Sequence, residues 1–460
     1  MLSVSFAACG GTNEEDLNTL NAIAFQNKTV TYNGLEHSLS ADDLPSGVQV
    51  SYQGNGKVNA GEYSVKAIFS LNGQSVEKTA TLTIEKALLT VKASDALAYV
   101  GENVQYKPVI QGFVNGETEE VLTQLPTFFN QKTQAGNYED YIVFSGGVAD
   151  NYDFVYQSAD LKLLPLYQEV NEGGVTFIEF GAYPQTVVSD ITLLADLVQA
   201  YDEDLLDDRG YFTYDGEMYY KACASVMTDV DELIENQMVF TNGDPIVDCK
   251  EYFFKVEPIR WRVLSEKNGA YMLMSELLID TVAYHSDPET VKGENDEEIY
   301  ASNWEHSDMR AWLNDGFSKM AFAGVQTPFL VEEYTNNSAQ TALYDRYANG
   351  NDTMDKVFLP SYVEVKDLCE TVLLAKTTDY ARAMGAYMLY GENGYWWTRS
   401  PGATGSPSGF YPSTTTRPSS HANVSVIAPN VMEGVVLDKY NQVKNEWTCI
   451  RPCINFVFAD

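Results

Sequence analysis

A chain of 460 residues with 65 acidic against 29 basic side chains carries a formal charge of −36. That excludes a nucleic-acid backbone as a partner, because phosphates must be met by a cationic footprint, and disfavours anionic membrane surfaces for the same reason. The length points to about three domains, and 45% hydrophobic content with 30 Tyr and 32 Gly argues for folded, turn-rich β structure in which helices are a minority.

Residues 1–11 form a short apolar run through Ala7-Ala8-Cys9, and the polar stretch Thr12-Asn13-Glu14-Glu15-Asp16 follows. Phe6-Ala7-Ala8-Cys9 resembles a bacterial lipobox, where small residues admit the chain to a signal peptidase and the cysteine thiol is then diacylated. The resemblance implies Cys9 as the lipid-attachment residue and a protein held on the outer side of a bacterial membrane, with plain secretion as the rival. Phe6 stands where Leu or Val is usual, and no basic residue precedes the run. The run is also shorter than a full signal-peptide core, so the written start is expected to lie inside a longer signal. Residues 1–16 therefore read as signal remnant and tether. No other stretch reaches the ~18 uninterrupted apolar residues of a spanning helix, so the membrane is expected as a partner only through the anchor.

From 17 to 164 the chain repeats itself. The first unit, 17–86, contains Val30-Thr31-Tyr32-Asn33-Gly34, then Ala60-Gly61-Glu62-Tyr63, and closes on Ala80-Thr81-Leu82-Thr83-Ile84. The second, 87–164, contains Leu89-Thr90-Val91, then Ala135-Gly136-Asn137-Tyr138, and closes on Ala159-Asp160-Leu161-Lys162-Leu163. Period-two strands separated by Gly-containing turns predict two small antiparallel β-sandwiches, joined at Glu85-Lys86-Ala87. Both units resemble the MBG (mostly beta, glycine-rich) repeats of bacterial surface proteins, which implies a stalk. Neither contains a catalytic constellation, and His37 stands alone.

Residues 165–175 read as a linker into a larger α+β domain, 176–460. A helix is expected from Ile191 to Asp208, capped by Ser189 or Asp190, with Leu194, Leu197, Val198, Tyr201 and Leu205 on one face. Two strands, 258–264 and 270–275, flank a Lys267-Asn268-Gly269 turn. A second helix opens at Ser307 or Asp308, with Met309, Trp312, Leu313, Phe317 and Met320 as its apolar stripe. Residues 355–360 read as a strand, Ser361 and Glu364 have capping-box spacing, and 378–385 form a short helix.

The late block Tyr395-Trp396-Trp397-Thr398-Arg399-Ser400-Pro401-Gly402 organises this domain. As a strand it places Tyr395, Trp397 and Arg399 on one face and Trp396, Thr398 and Ser400 on the other. In the closing segment Ile450, Pro452, Ile454, Phe456 and Phe458 alternate with Arg451, Cys453 and Asn455. Together with Phe180-Gly181-Ala182-Tyr183-Pro184-Gln185, Trp261-Arg262-Val263-Leu264 and Ser307-Asp308-Met309-Arg310-Ala311-Trp312-Leu313-Asn314, these residues resemble a family of bacterial extracellular domains of unknown function. Asp355-Lys356-Val357-Phe358-Leu359 and Arg451-Pro452 complete that pattern. The helix-then-sheet order and the Trp-Trp-x-Arg-Ser block are also similar to the C-type-lectin-like superfamily. That likeness implies a domain whose chain ends pair near each other.

The resemblance implies a binding module of adhesin or receptor type for an extracellular glycan or protein. Trp397, Arg399, Trp447 and Arg451 are the candidate ligand residues, since aromatic platforms beside hydrogen-bonding side chains suit sugars. A core-edge stack of Trp on Arg is the competing role for the same side chains. Formylglycine-generating enzymes share a lectin-like scaffold, which makes an oxidase using Cys449 or Cys453 the alternative. In an extended strand those two lie about 13 Å apart, beyond the ~7 Å limit for a disulfide. A structural spacer without ligand is the third reading. How Cys223, Cys249, Cys369, Cys449 and Cys453 pair is open at this stage. No His-Glu-x-x-His, Cys-x-x-Cys, P-loop or Gly-x-Ser-x-Gly motif occurs, and no cofactor is expected. Calcium is the one ion that the acid runs at 202–208 and 294–298 bring to mind, and neither has the ligand pattern of an EF-hand.

Overall fold

The computed structural model describes residues 12–129, 132–226, 238–287, 291–292, 296, 298–338, 350–388, 392–402, 423–430, 434–442 and 445–458. Cys9, the expected lipid-attachment residue, lies outside them. The protein is β-rich and built from several sheets, as its composition requires. It divides into two compact units. One comprises the chain up to Ala96 with Val104–Lys132 and Asn137–Leu161, and the other comprises Leu97–Asn103, Thr133–Gly136 and Lys162–Asp460.

In the first unit the strands Lys28–Thr31, Gln74–Glu85, Gly61–Leu71 and Gln49–Gln53 lie side by side in that order. The central hairpin turns through Asn72 and Gly73, whose φ angles of 50° and 87° make the two-residue turn that fits the twist of paired strands. Alternation buries Val65, Ala67 and Phe69 with Ala80, Leu82 and Ile84. Part of the expected tether is a helix, Thr12–Ala22, and its Leu20 is buried in one cluster with Ala67 and Phe69. Further on, Ala87–Lys92 pairs parallel to Tyr152–Gln157 and antiparallel to Val109–Gln111.

The short joint at Glu85-Lys86-Ala87 is not a free hinge. Tyr32, Leu82 and Ile84 share one core with Leu89 and Tyr152, and the Tyr32 and Tyr152 rings meet edge-on at 5.5 Å. Both hydroxyls donate to the Glu117 carboxylate, Tyr32 at 2.5 Å.

The second unit is built on an eight-stranded antiparallel sheet. Its main path runs Tyr167–Glu172, Val175–Val187, Glu251–Lys267, Ala270–Ser275, Cys453–Phe456 and Val357–Phe358. Glu217–Cys223 and Phe212–Tyr214 extend it beside Glu251–Lys267. The stretch expected to be a linker is therefore the edge strand, with Tyr167 opposite Phe180. Asn268 and Gly269 form the predicted turn with φ of 55° and 82°.

A five-stranded sheet has the order Asp280–Thr281, Cys449–Ile450, Trp396–Pro401, Asn423–Asn430 and Gly434–Gln442. The closing segment is thus not one strand. Its ladder breaks at Arg451-Pro452, where proline offers no N–H, and the two halves belong to different sheets. The first and last strands of the domain do not pair either. Two strands separate them, and they meet through rings, Phe180 and Phe456 at 5.0 Å.

The helices begin where their caps predict. Asp190 Oδ1 accepts from Leu193 N–H at 2.9 Å and Ser307 Oγ from Arg310 N–H at 3.1 Å. The first helix is shorter than expected, Ile191–Ala200. Of its predicted stripe Leu197 is buried, Val198 is 68% exposed on the helix itself, and Leu205 is 70% exposed because the chain leaves helical geometry at Tyr201 before reaching it. The second runs from Asp308 to Ala321 through a π-turn at Leu313–Phe317 and buries Met309, Leu313 and Phe317 as predicted.

Candidate functional site

Strand Trp396–Pro401 is buried along its whole length. Its two alternating faces are both interior. Trp396 Nε1 donates to the Leu373 carbonyl and Trp397 Nε1 to the Val282 carbonyl, each at 3.1 Å. Arg399 forks onto Glu364, Nη1 to Oε2 at 2.6 Å and Nη2 to Oε1 at 2.7 Å, and also donates to the carbonyls of Leu359 and Asn336. Glu364 is the acid of the predicted capping box, since its Oε2 accepts from Ser361 N–H at 2.7 Å. Burial alone would lift the Glu364 carboxyl, but the Arg399 charge and hydrogen bonds outweigh it and hold the group below the usual carboxylate range.

Arg451 is fully enclosed and, among the described residues, meets no carboxylate directly. It donates to the carbonyls of Ser275, Val372 and Glu276 and lies 5.1 Å over the Trp396 ring. Burial brings its guanidinium down to about 10.

The reading of Trp397, Arg399 and Arg451 as ligand-facing is therefore corrected. Relative exposures of 0%, 3% and 1% leave them no surface to offer, and Arg451 sits on Trp396 rather than beside Trp397. The cause is that the strand is covered on both sides, which alternation along one strand does not register. Trp447 alone of the four is half-buried.

Cys449 and Cys453 are likewise fully buried, and burial pushes both thiols up. A nucleophilic cysteine needs an accessible, low-pKa thiolate, and these positions supply the opposite. The segments His285-Ser286-Asp287 and His306-Ser307-Asp308 meet, for Asp308 Oδ2 accepts from Ser286 N–H at 2.8 Å and from its Oγ at 2.6 Å. Among the described residues no group of three His, Cys, Asp or Glu is placed to hold a metal ion. In the 202–208 acid run, Asp202 caps a short helical turn and Asp207 pairs with Arg209 at 2.8 Å.

Two features escaped sequence reasoning, the second in all but Trp447. One is a buried acid, Asp280, which accepts from Tyr183 O–H at 2.6 Å and Thr281 N–H at 2.7 Å. Burial raises its pKa to about 6 despite those bonds. Because its folded pKa exceeds its unfolded one, the fold gains at acid pH and loses stability as pH rises through about 6. Asp280→Asn keeps an acceptor for Tyr183 without the charge. Its melting temperature is expected to exceed the parent's at pH 7.5, with a smaller gap at pH 5 that closes only below the unfolded value of about 4; an equal gap at pH 7.5 and pH 5 contradicts the assignment.

The other feature is a part-exposed aromatic rim beside the buried block. Tyr387, Tyr395 and Trp447 are each half-buried, and the two tyrosine rings lie 5.5 Å apart at 46°. Backbone bonds hold the group together. Tyr387 N–H donates to the Trp447 carbonyl at 3.1 Å and Cys449 N–H to the Tyr395 carbonyl at 2.8 Å. Asn393 and Asn445 are half-buried and Glu392 and Glu446 exposed along the same segments. Tyr395 next to the core strand and Trp447 next to the closing segment were the available signals.

With the geometry in place, family comparison assigns two segments. Residues 89–162 match the MBG domain (YGX type) and residues 268–456 match the domain of unknown function DUF6273. The chain carries an MBG domain and a DUF6273 domain. The sheet that holds the DUF6273 domain starts well before its matched segment, at Tyr167.

No curated protein matches the chain. Among solved structures, a chimeric titin Z1Z2-Z1Z2 tandem is 10% identical over 31% of this chain and 97% of its own, with a TM-score of 0.11. Human protocadherin-24 EC1-2 is 11% identical over 31% and 99%, TM-score 0.13. A SusE-like surface located polysaccharide binding protein from the Bacteroides thetaiotaomicron heparin utilisation locus is 10% identical over 55% and 56%, TM-score 0.13. At these TM-scores the likenesses carry no argument.

Proposed function

We propose that the DUF6273 domain is a binding module for an extracellular glycan or protein, presented at the cell surface by the MBG unit and anchored by lipid through Cys9. The carrying observation is the Tyr387, Tyr395 and Trp447 rim. Part-exposed rings offer stacking surface at low entropic cost, and the neighbouring amides and carboxylates suit hydroxyl groups. The buried Trp397, Arg399 and Arg451 hold that rim in place and do not touch ligand. Kinship with C-type-lectin-like domains belongs to the same proposal.

The test is the full chain on glycan and mucin arrays, with and without calcium. Trp447→Ala is expected to lose at least tenfold in affinity, about 1.4 kcal/mol, at an unchanged melting temperature. Binding that survives Trp447→Ala and Tyr395→Ala together removes the rim from the account, and no binding to any array or mucin favours a spacer. For the anchor, Cys9→Ala behind a complete signal sequence is expected to release the protein from the membrane fraction. Retention there contradicts it.

A further inference from the structure

Helix Ile191–Ala200 has two apolar faces, and only one of them is covered. Leu197 is enclosed in a cluster with Phe212, Tyr219 and Phe253, against which Leu193, Leu194 and Tyr201 also pack. A second face carries Ile191, Ala195 and Val198, whose spacing places them in one stripe along the helix. Ile191 is 84% exposed and Val198 68%, Ala195 is exposed between them, and Leu205 just beyond the helix is exposed as well. The helix's single charged residue, Asp196, is half-buried near Tyr214, which belongs to the covered cluster. A helix that is apolar all round is ordinarily packed all round. Exposed side chains of this size in line make a patch on the order of a few hundred Å², an extent that is often functional on a soluble protein.

The surroundings of the stripe are acidic. Asp190 stands at its N-terminal end, and Asp202, Glu203 and Asp204 follow its C-terminal end. No basic residue occurs between Lys162 and Arg209. The nearby cations are already engaged, Arg209 with Asp207 at 2.8 Å and Lys221 with Glu251 at 3.0 Å and over the Tyr201 ring at 4.7 Å. The C-terminal end of a helix favours positive charge, yet the last turn here holds no basic residue and three carboxylates come next. An apolar stripe therefore ends in a negative field that nothing among the described residues neutralises.

We propose that this face docks a basic amphipathic helix of a partner protein. The partner's apolar side lies on Ile191, Ala195 and Val198, and its lysines or arginines meet Asp202, Glu203 and Asp204. A second copy of this chain is a poor occupant, because it brings the same carboxylates and a further charge of −36 to the contact. An anionic lipid surface is repelled for the same reason. A contact of this size supports a transient complex, with a dissociation constant on the order of micromolar. The proposal uses no residue of the Tyr387, Tyr395 and Trp447 rim and stands whether or not that rim binds ligand.

The experiment titrates the full chain into fluorescein-labelled synthetic peptides at physiological salt and reads anisotropy. The probes are an amphipathic leucine–lysine helix, the leucine–glutamate peptide of the same pattern, and a leucine–lysine peptide of the same composition whose order breaks the apolar face. Only the first is expected to bind at micromolar concentration. Ile191→Ser with Val198→Ser should weaken it at least tenfold, and Asp202→Asn with Glu203→Gln and Asp204→Asn should weaken it at least tenfold and remove most of its salt dependence. These side chains are exposed, so both variants should melt with the parent. Hydrogen exchange of the parent needs no variant, and the bound peptide should slow the amides of 191–205. Failure of the amphipathic peptide to bind, equal binding of the reordered peptide, unchanged affinity in the serine pair, or protection confined to other segments overturns the proposal. A concentration-dependent dimer in sedimentation that the serine pair abolishes also overturns it, because the occupant is then a second copy.

Discussion

Glu364→Gln is expected to destabilise the protein by about 1.5–3 kcal/mol, the range of hydrogen bonds to a charged group, because Arg399 is buried while the Glu364 side chain is 33% exposed. The Arg399 side chain is only 2% exposed. Without the Glu364 charge, its guanidinium is left with neutral acceptors, the Leu359 and Asn336 carbonyls and the Gln oxygen. Gln retains an oxygen for the Ser361 N–H, so most of the loss belongs to the stranded cation and little to the helix cap. Adding Arg399→Met should recover part of the loss, because the double variant buries no charge. Urea unfolding of the parent and the three variants reads all of this, and a cost below about 1 kcal/mol, the range of exposed pairs, would show the pair to be solvated.

The same pair sets part of the acid limb of stability. Glu364 has a depressed carboxyl pKa in the fold, so the unfolded chain binds the extra proton. The stabilisation is complete above the unfolded value near 4.3 and is lost as pH falls through the lower folded one. Between pH 5 and pH 3 the parent should lose stability more steeply than Glu364→Gln does. Parallel slopes would place the acid sensitivity elsewhere.

Trp397→Ala is expected to cost about 3–5 kcal/mol, as large-to-small changes of buried aromatic side chains do. The ring is fully enclosed, packs 5.7 Å from Tyr284, and donates to the Val282 carbonyl. Trp397→Phe retains most of the packing and should lose a smaller share, chiefly the Nε1 bond and the cavity its smaller ring leaves. The shift appears as a lower denaturation midpoint at unchanged slope. A Trp397→Ala protein with the parent's midpoint and weakened ligand capture would restore this residue to a ligand face.

Local signals were legible in the sequence and tertiary coverage was not. The Asp190, Ser307 and Ser361 caps and the Asn268-Gly269 turn depend on a few adjacent residues and appear where those residues stand. The alternation at 395–400 correctly separates two faces, but whether either faces solvent depends on Val282, Tyr284 and Leu373, which are far away in sequence. Residues 167–172 look like a linker because an edge strand exposes one side of its backbone and most of its side chains, and Gln168, Glu169, Asn171 and Glu172 meet that condition. The break at Pro452 was readable from its missing N–H, whereas the change of sheet that follows it was not. Of the aromatic rim only Trp447 was among the sequence candidates, for the converse reason. Tyr387, Tyr395 and Trp447 are scattered along the chain and are brought together by the backbone bonds that flank the core strand and by the Tyr387–Tyr395 ring contact.

The Trp-Trp-x-Arg-Ser block is an internal fastener, buried on both of its faces, and the proposed recognition lies beside it. Native-state hydrogen exchange of the full chain tests this most directly. The amides of Trp397 to Ser400 should exchange only through global unfolding, tracking the protein's stability as denaturant is added. Exchange of those amides by local opening, at rates typical of exposed segments and insensitive to denaturant, would contradict it.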